Sequence, residues 1–368
     1  MSIRVVSLFS GGGGLDLGFK QEGYDIIWAI DNNANAVATY KHNLHDNIIC
    51  GDINEIDLDK LPNADIVIGG PPCQSFSLAG NRNVEDARGQ LVWRYIDIIK
   101  HVKPKAFVFE NVTGLLSAKN SAKEHIIDLL KKAFADIGYM ISTKIMNAAD
   151  YGIPQRRKRV IIVGLRSGEE FQFPDATHNE TGLGLKKYVS VEEALGDLPK
   201  ATMGENDKAR YILKPQSDYQ KKMREGNGDE VSEHFVSKLS ELDKYIIRHV
   251  KPGGNYMDIP SDVDSARIRR LQRDGGHTTC YGRLSPDKPS YTINTYFNRP
   301  NVGCNIHYSE QRLITVREAL RLQSFPDSYE IISTSKQGRN LIVGNAVPPM
   351  LARIIAKKLK EYMKEENK

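Results

Sequence analysis

Ile3-Arg-Val-Val-Ser-Leu-Phe-Ser-Gly-Gly-Gly-Gly-Leu-Asp-Leu-Gly-Phe-Lys20 decides the fold. Ile3 to Phe9 is apolar and β-branched, the pattern of a buried strand. Ser10 to Gly14 turns the chain, and Leu15 onward reads as a helix. Strand, glycine turn and helix make the first half of a nucleotide-binding α/β unit. The glycines let a ligand approach the backbone N–H groups at a helix start. No register of these glycines meets G-x-G-x-x-G, which argues against a dinucleotide.

The alternation continues outward from this stretch. Tyr24 to Ile30 predicts a second strand ending at Asp31, Asn33 to Asn43 a helix, and Ile48 to Cys50 a third strand ending at Gly51-Asp52. An acid at the second strand tip can accept from ribose hydroxyls. One at the third can accept from an adenine amino group. Together, beside a glycine turn, they favour an adenosine cofactor without pyrophosphate, although each Asp alone is more often a cap or turn residue. Asp65 to Ile68 is a fourth strand, followed by Gly69-Gly-Pro-Pro-Cys-Gln-Ser-Phe-Ser77. The glycines turn the chain and the prolines stiffen the approach to Cys73. A cysteine at the C-terminal end of a strand stands where open α/β sheets place their chemistry.

Asn81 to Gly89 is a polar loop, a candidate lid or DNA contact. Gln90 to Val102 has helical spacing. Ala106 to Phe109 is a strand with Glu110-Asn111-Val112 at its tip, a candidate general acid on the same edge as Cys73. Ser121 to Ile137 predicts a helix, Tyr139 to Asn147 and Val160 to Leu165 strands. Between them Gln155-Arg-Arg-Lys-Arg159 alternates, so Arg157 and Arg159 are expected to share one strand face.

The chain has 368 residues, 40% hydrophobic and 26% charged, with a net charge of +5. That composition predicts a soluble protein of two domains, compatible with nucleic acid. No apolar run is long enough to span a membrane, and Met1 is followed by no signal peptide. Four cysteines without a CxxC pair argue for reduced thiols and no metal site. From about Glu169 the alternation fades. Residues 175–306 mix arginines 267, 269, 270, 273 and 283 with Tyr281, Tyr291, Tyr296 and Phe297, a candidate nucleic-acid surface. Order returns at 313–326, where Thr315 and Glu318 spell a capping box, and at Leu341 to Pro349, which leads into a final helix.

As a set, Leu8 to Gly18, Gly70-Pro-Pro-Cys-Gln-Ser-Phe-Ser77, Glu110-Asn-Val112, Gln155 to Arg159, Arg317 to Pro326 and Gly344-Asn-Ala-Val347 resemble the DNA cytosine-5 methyltransferase family of bacterial restriction–modification systems. They stand in the family's order and span residues 8–350. The resemblance implies an α/β fold: a Rossmann-like S-adenosylmethionine-dependent methyltransferase domain with a smaller, irregular target-recognition domain. Residues 1–174 would be the catalytic domain, 175–338 the recognition domain with 310–326 as its scaffold, and 339–368 a return to the catalytic domain.

The resemblance also implies roles. Phe9, Ser10, Gly11, Gly13 and Gly14 would hold S-adenosylmethionine, with Asp31 and Asn32 at the ribose and Asp52 and Ile53 at the adenine. Pro72, Asn345 and Ala346 complete that set, Asn345 standing at the start of the last helix. Cys73 would be the nucleophile and Glu110 its partner at the base, with Arg157 and Arg159 near the reacting ring. Ser75, Arg82, Arg88, Arg267, Arg269, Arg270 and Arg283 would meet DNA. The implied substrate is double-stranded DNA with the target base flipped out. A cognate restriction endonuclease would be a genetic partner, and the enzyme a cytoplasmic monomer.

Two rivals stay open on the residues alone: an RNA cytosine methyltransferase on the same scaffold, and a non-catalytic DNA-binding protein. A zinc deaminase is excluded, since position 76 is Phe where Pro-Cys-x-x-Cys needs a second cysteine.

Overall fold

The computed structural model describes residues 2–72, 87–120, 123–204 and 207–365. Cys73, Ser75 and Arg82 lie outside them, and Arg88 is described only as backbone of a helix. The chain divides into two compact units. The first holds Met1–Asn147, Lys158–Asp175 and Leu351–Lys368, and the second Ala148–Arg157 and Ala176–Met350. Both chain ends lie in the first unit, whose last segment begins at Leu351 rather than at residue 339.

The first unit is built on one sheet: β1 (Arg4–Leu8), β2 (Asp25–Asp31), β3 (Ile48–Cys50), β4 (Ile66–Gly69), β5 (Ala106–Val112), β6 (Met140–Asn147) and β7 (Lys158–Leu165). Its order is β3-β2-β1-β4-β5-β7-β6. β1 to β5 run parallel, and β7 is antiparallel to both of its neighbours. The central strands are largely apolar because both of their faces are covered; every residue of β4 is buried. Strand order reverses between β1 and β4, and at such a switch point α/β sheets bind ligands beyond the C-terminal strand ends.

Helices α1 (Gly14–Gln21), α2 (Ala34–Asn43), α3 (Ala87–Val102) and α4 (Ile126–Asp136) follow the strands. α4 begins at Ile126, not Ser121. Tyr95 of α3 is fully buried against Phe107, Phe109 and Phe134 and donates to the Val108 carbonyl at 3.0 Å. Gly164 of β7 stands opposite Phe107; a Cβ there would lie 2.1 Å from the Phe107 ring, so only glycine fits.

The second unit contains α5 (Val191–Leu195), α6 (Asp218–Met223), α7 (Glu241–His249), α8 (Ala266–Asp274), α9 (Val316–Leu322) and α10 (Lys336–Asn345), joined by two- and three-residue ladders. The Thr315–Glu318 capping box of α9 is present. α11 (Pro349–Glu365) closes the chain. From Leu351 it belongs to the first unit, where Tyr24 Oη donates to the Ala356 carbonyl at 2.9 Å and Arg353 pairs with Glu22 at 2.6 Å.

A unit with so little regular structure must satisfy its carbonyls by other means. Buried arginines do this. Arg317 donates to the carbonyls of Ser232, Pro326 and Tyr329. Arg283 donates to those of Val250, His307, Glu310 and Ile247.

Candidate active site

The parallel order brings the C-terminal ends of β1 to β5 to one edge of the first unit. Antiparallel β7 starts at that same edge, since Arg159 stands opposite Val112. Most of the expected catalytic-domain residues gather there through topology alone.

At the end of β1, Phe9 takes a left-handed φ of 55°, a strained conformation for an aromatic residue. Ser10 is buried, its hydroxyl against that of Ser7 at 2.9 Å. Gly13 is left-handed, and a Cβ on it would strike Leu44 at 2.4 Å; Gly11 has open space where a side chain would be. Asp31 ends β2. Its Oδ2 accepts from Gly11 N at 2.8 Å and its Oδ1 from Asn33 N at 2.9 Å. The carboxylate thus ties the glycine turn to the start of α2. Burial raises its pKa, against the pull of those two amides. Each oxygen retains acceptor capacity. Asn32 is exposed; Asp52 is exposed and caps a short helix by accepting from Asn54 N, with Ile53 buried beside it. An open glycine turn, a two-oxygen acceptor and an apolar residue at successive strand ends fit an adenosine-type cofactor.

Asp16, in the first turn of α1, is fully buried, and Tyr40 Oη donates to its Oδ1 at 2.9 Å. Burial pushes its pKa up to about 6, partly offset by the Ser7 and Tyr40 hydroxyls. A pKa raised on folding gives stability that is complete below the unfolded value of 3.8 and is lost as pH rises through about 6. The loss is about 3 kcal/mol. Asp16→Asn should therefore raise the urea midpoint at pH 8 well above wild type and leave it nearly unchanged at pH 4. An equal gain at both pH values would remove ionisation as the cause.

At the ends of β4 and β5, two pairs of neighbours meet. Glu110, 8% exposed, pairs with Arg159: Nε to Oε1 is 2.8 Å. Arg159 Nη1 donates to the Lys158 carbonyl. Asn111 Nδ2 donates to the Pro71 carbonyl at 3.0 Å and so holds the segment that leads into Cys73. Glu110 is not at a strand tip, since β5 continues to Val112. Pro71 is buried and Pro72 half-buried.

Four expectations are corrected. Arg157 and Arg159 do not share a strand face, because β7 begins at Lys158 and Gln155–Arg156 pairs instead with Ser290–Tyr291. Arg157 lies in the second unit, wholly buried, donating to the Ile293 and Gly344 carbonyls at 3.0 and 2.9 Å. Arg283 is 5% exposed with its donors committed to carbonyls, so it is no DNA contact. Asn345 ends α10 rather than starting the last helix, and it is exposed, with Ala346 half-buried. Tyr281 and Phe297 are buried rather than on a surface. Arg267, Arg269 and Arg270 are exposed on α8, and Tyr291 and Tyr296 are also exposed.

The sheet order and the acid–arginine pair at its active edge define a methyltransferase-type α/β enzyme. The chain belongs to the C-5 cytosine-specific DNA methylase family, whose model matches residues 3–361. It is a DNA cytosine-5 methyltransferase. It is 35% identical to the type II methyltransferase M.NgoFVII of Neisseria gonorrhoeae over 97% of this chain and 86% of that protein. It is 34% identical to M.FnuDI of Fusobacterium nucleatum over 100% and 96%. The fold is similar to that of an E. coli prophage-encoded protein described as a DNA modification methyltransferase, with a TM-score of 0.74, 24% identity and coverage of 99% and 100%. It is also similar to S. pombe Dnmt2 methyltransferase, with a TM-score of 0.58, 18% identity and coverage of 98% and 99%. Among the described residues no helix is long and apolar enough to cross a membrane.

Proposed function

We propose that this enzyme methylates cytosine within one short double-stranded sequence, with Cys73 as nucleophile and Glu110 and Arg159 as its partners at the base. The observation that carries the reading is the Glu110–Arg159 pair near the end of β5, close to the Gly69–Pro72 segment that precedes Cys73 in the sequence.

Carbon 5 of cytosine is a weak nucleophile. Addition of the Cys73 thiolate to carbon 6 breaks the C5–C6 double bond and makes carbon 5 enamine-like. Thiolate suits this step because it is strongly nucleophilic and also leaves readily. A free thiol has a pKa of roughly 8.5, so nearby positive charge favours the reactive form. The Glu110 carboxyl stabilises or protonates N3 and accepts from the exocyclic amine. Arg159 fixes that carboxylate in place. Arg157, through its two carbonyls, supports the 293 and 344 segments. Phe9, the glycine turn, Asp31, Asp52 and Ile53 would hold S-adenosylmethionine, which supplies an electrophilic methyl group when bound. A base then removes the carbon 5 proton, the ring double bond re-forms and the thiolate is expelled.

The ring is out of reach in a stacked duplex, so the base must be flipped out at a cost of a few kcal/mol. Residues 176–306 would read the sequence, with Arg267, Arg269 and Arg270 of α8 at the DNA. The reading includes a cognate endonuclease as genetic partner and a monomeric, cytoplasmic enzyme. Bisulfite sequencing of DNA from expressing cells should show protected cytosines in one short context. In parallel, purified protein should methylate duplex DNA and leave tRNA unmodified. Methyl groups on exocyclic amines, or on tRNA alone, would overturn the assignment.

A further inference from the structure

Gly70 is the residue before Pro71 and Pro72, and its backbone does not need to be glycine: it is absent from the left-handed positions of the chain. Its side-chain space is what is restricted. A Cβ on Gly70 would lie 2.8 Å from Glu110 Oε2, and the next nearest atoms, at 3.5 and 3.9 Å, also belong to Glu110. The other carboxylate oxygen, Oε1, is held by Arg159 Nε at 2.8 Å. One carboxylate oxygen is therefore held by a guanidinium, and the other stands within contact distance of where a side chain on Gly70 would begin.

From this contact we infer that Gly70 is a positioning residue for the methyl-transfer reaction, its missing side chain setting where the Glu110 carboxylate stands. The inference rests on the role proposed for Glu110. A methyl group at position 70 forces the far end of the Glu110 side chain to move, and that end can move without disturbing the strand. Gly69 is the contrast. A Cβ there would meet the Leu8 carbonyl oxygen at 2.6 Å and the Tyr95 ring at 3.0 Å, so relief would require backbone and core to shift. Adjacent glycines thus serve different ends, Gly69 the packing of the sheet and Gly70 the placement of an acid.

The test is a double-mutant cycle read by single-turnover transfer of tritiated methyl to duplex DNA, with thermal melting alongside. Gly70→Ala should keep the wild-type melting midpoint and DNA affinity while the transfer rate falls about 100-fold, the usual effect of a displacement near 1 Å at a reacting group. Gly69→Ala should lower the melting midpoint. In a Glu110→Ala background, Gly70→Ala should cause no further loss of rate. An equal 100-fold loss in that background would show that Gly70 acts through the loop backbone, and the inference falls. It falls equally if Gly70→Ala turns over normally or fails to fold. Full activity of Glu110→Ala alone would instead refute the role of Glu110, an outcome the cycle separates from failure of Gly70.

Discussion

Cys73→Ala should bind DNA and cofactor and melt as wild type does, yet lose methyl transfer by on the order of 10⁴-fold or more, the scale seen when a covalent nucleophile is removed. The reason is chemical rather than structural: without addition at carbon 6, carbon 5 has no electron density to share. Duplex DNA carrying 5-fluorocytosine at the target position makes the same step visible. With S-adenosylmethionine present, Cys73 adds to carbon 6 and carbon 5 is methylated. The reaction then halts, because fluorine cannot leave as a cation. The adduct should survive denaturing electrophoresis and map by mass spectrometry to a peptide containing Cys73. Cys50, Cys280 and Cys304 should tolerate serine, since none stands in the Gly70–Ser77 stretch. Trapping at one of those three would mean a different nucleophile. Glu110→Gln should slow adduct formation strongly while leaving the protein folded.

The largest effect on stability belongs to Arg321. It is fully buried in the second unit, as are Asp197 and Asp327 beside it. Its Nε and Nη2 meet Asp327 at 2.8 and 2.6 Å, and its Nη1 meets Asp197 and donates to the Ala194 carbonyl at 2.9 Å. Asp327 is itself buried, yet Arg321 holds its carboxyl below the usual range. Arg321→Met would leave two buried carboxylates without this cation, although Arg224 still reaches Asp197 at 3.2 Å. Breaking such a pair costs about 3–5 kcal/mol, because the remaining charge stays desolvated. Arg321→Lys should recover little, since an ammonium cannot reproduce the two-sided fork. By contrast, removing the exposed Lys221–Asp218 pair should leave the urea midpoint nearly unchanged, because both side chains stay in water. Urea unfolding of the three variants gives the comparison. Equal midpoints for Arg321→Met and wild type would mean that the network contributes nothing net.

Much of the first unit was legible from local pattern. Apolar β-branched runs separated by glycine, proline and amphipathic helices located β1 to β4 within one residue of their ends, since fully buried parallel strands leave a continuous apolar signal; β5 runs three residues past its apolar run, to Val112. The Thr315–Glu318 capping box was legible for a similar reason: both of its hydrogen bonds close within four residues. The motifs also pointed to Glu110 and Arg159, which the sheet brings together as an ion pair. Period-2 reasoning failed at Arg157 because it assumes an unbroken strand. The chain enters β7 only at Lys158, and Arg157 is claimed by carbonyls 136 and 187 residues away.

The second unit shows why the remainder was out of reach. Exposed and buried arginines are the same letter. Arg267 on α8 faces solvent, whereas Arg283 is committed to carbonyls from residues 247 to 310, and nothing within a few positions of either separates the two. The use of a guanidinium depends on which unpaired carbonyls surround it, and that is a property of long-range packing. The same holds for Gly70, whose φ any residue could adopt. Sequence by itself determined the α/β alternation and the family, because each is written in short runs of contiguous residues. Only the tertiary structure decided which arginine grips Glu110, and that Gly70 must stay bare beneath it, because those contacts join segments that meet only when the sheet has formed.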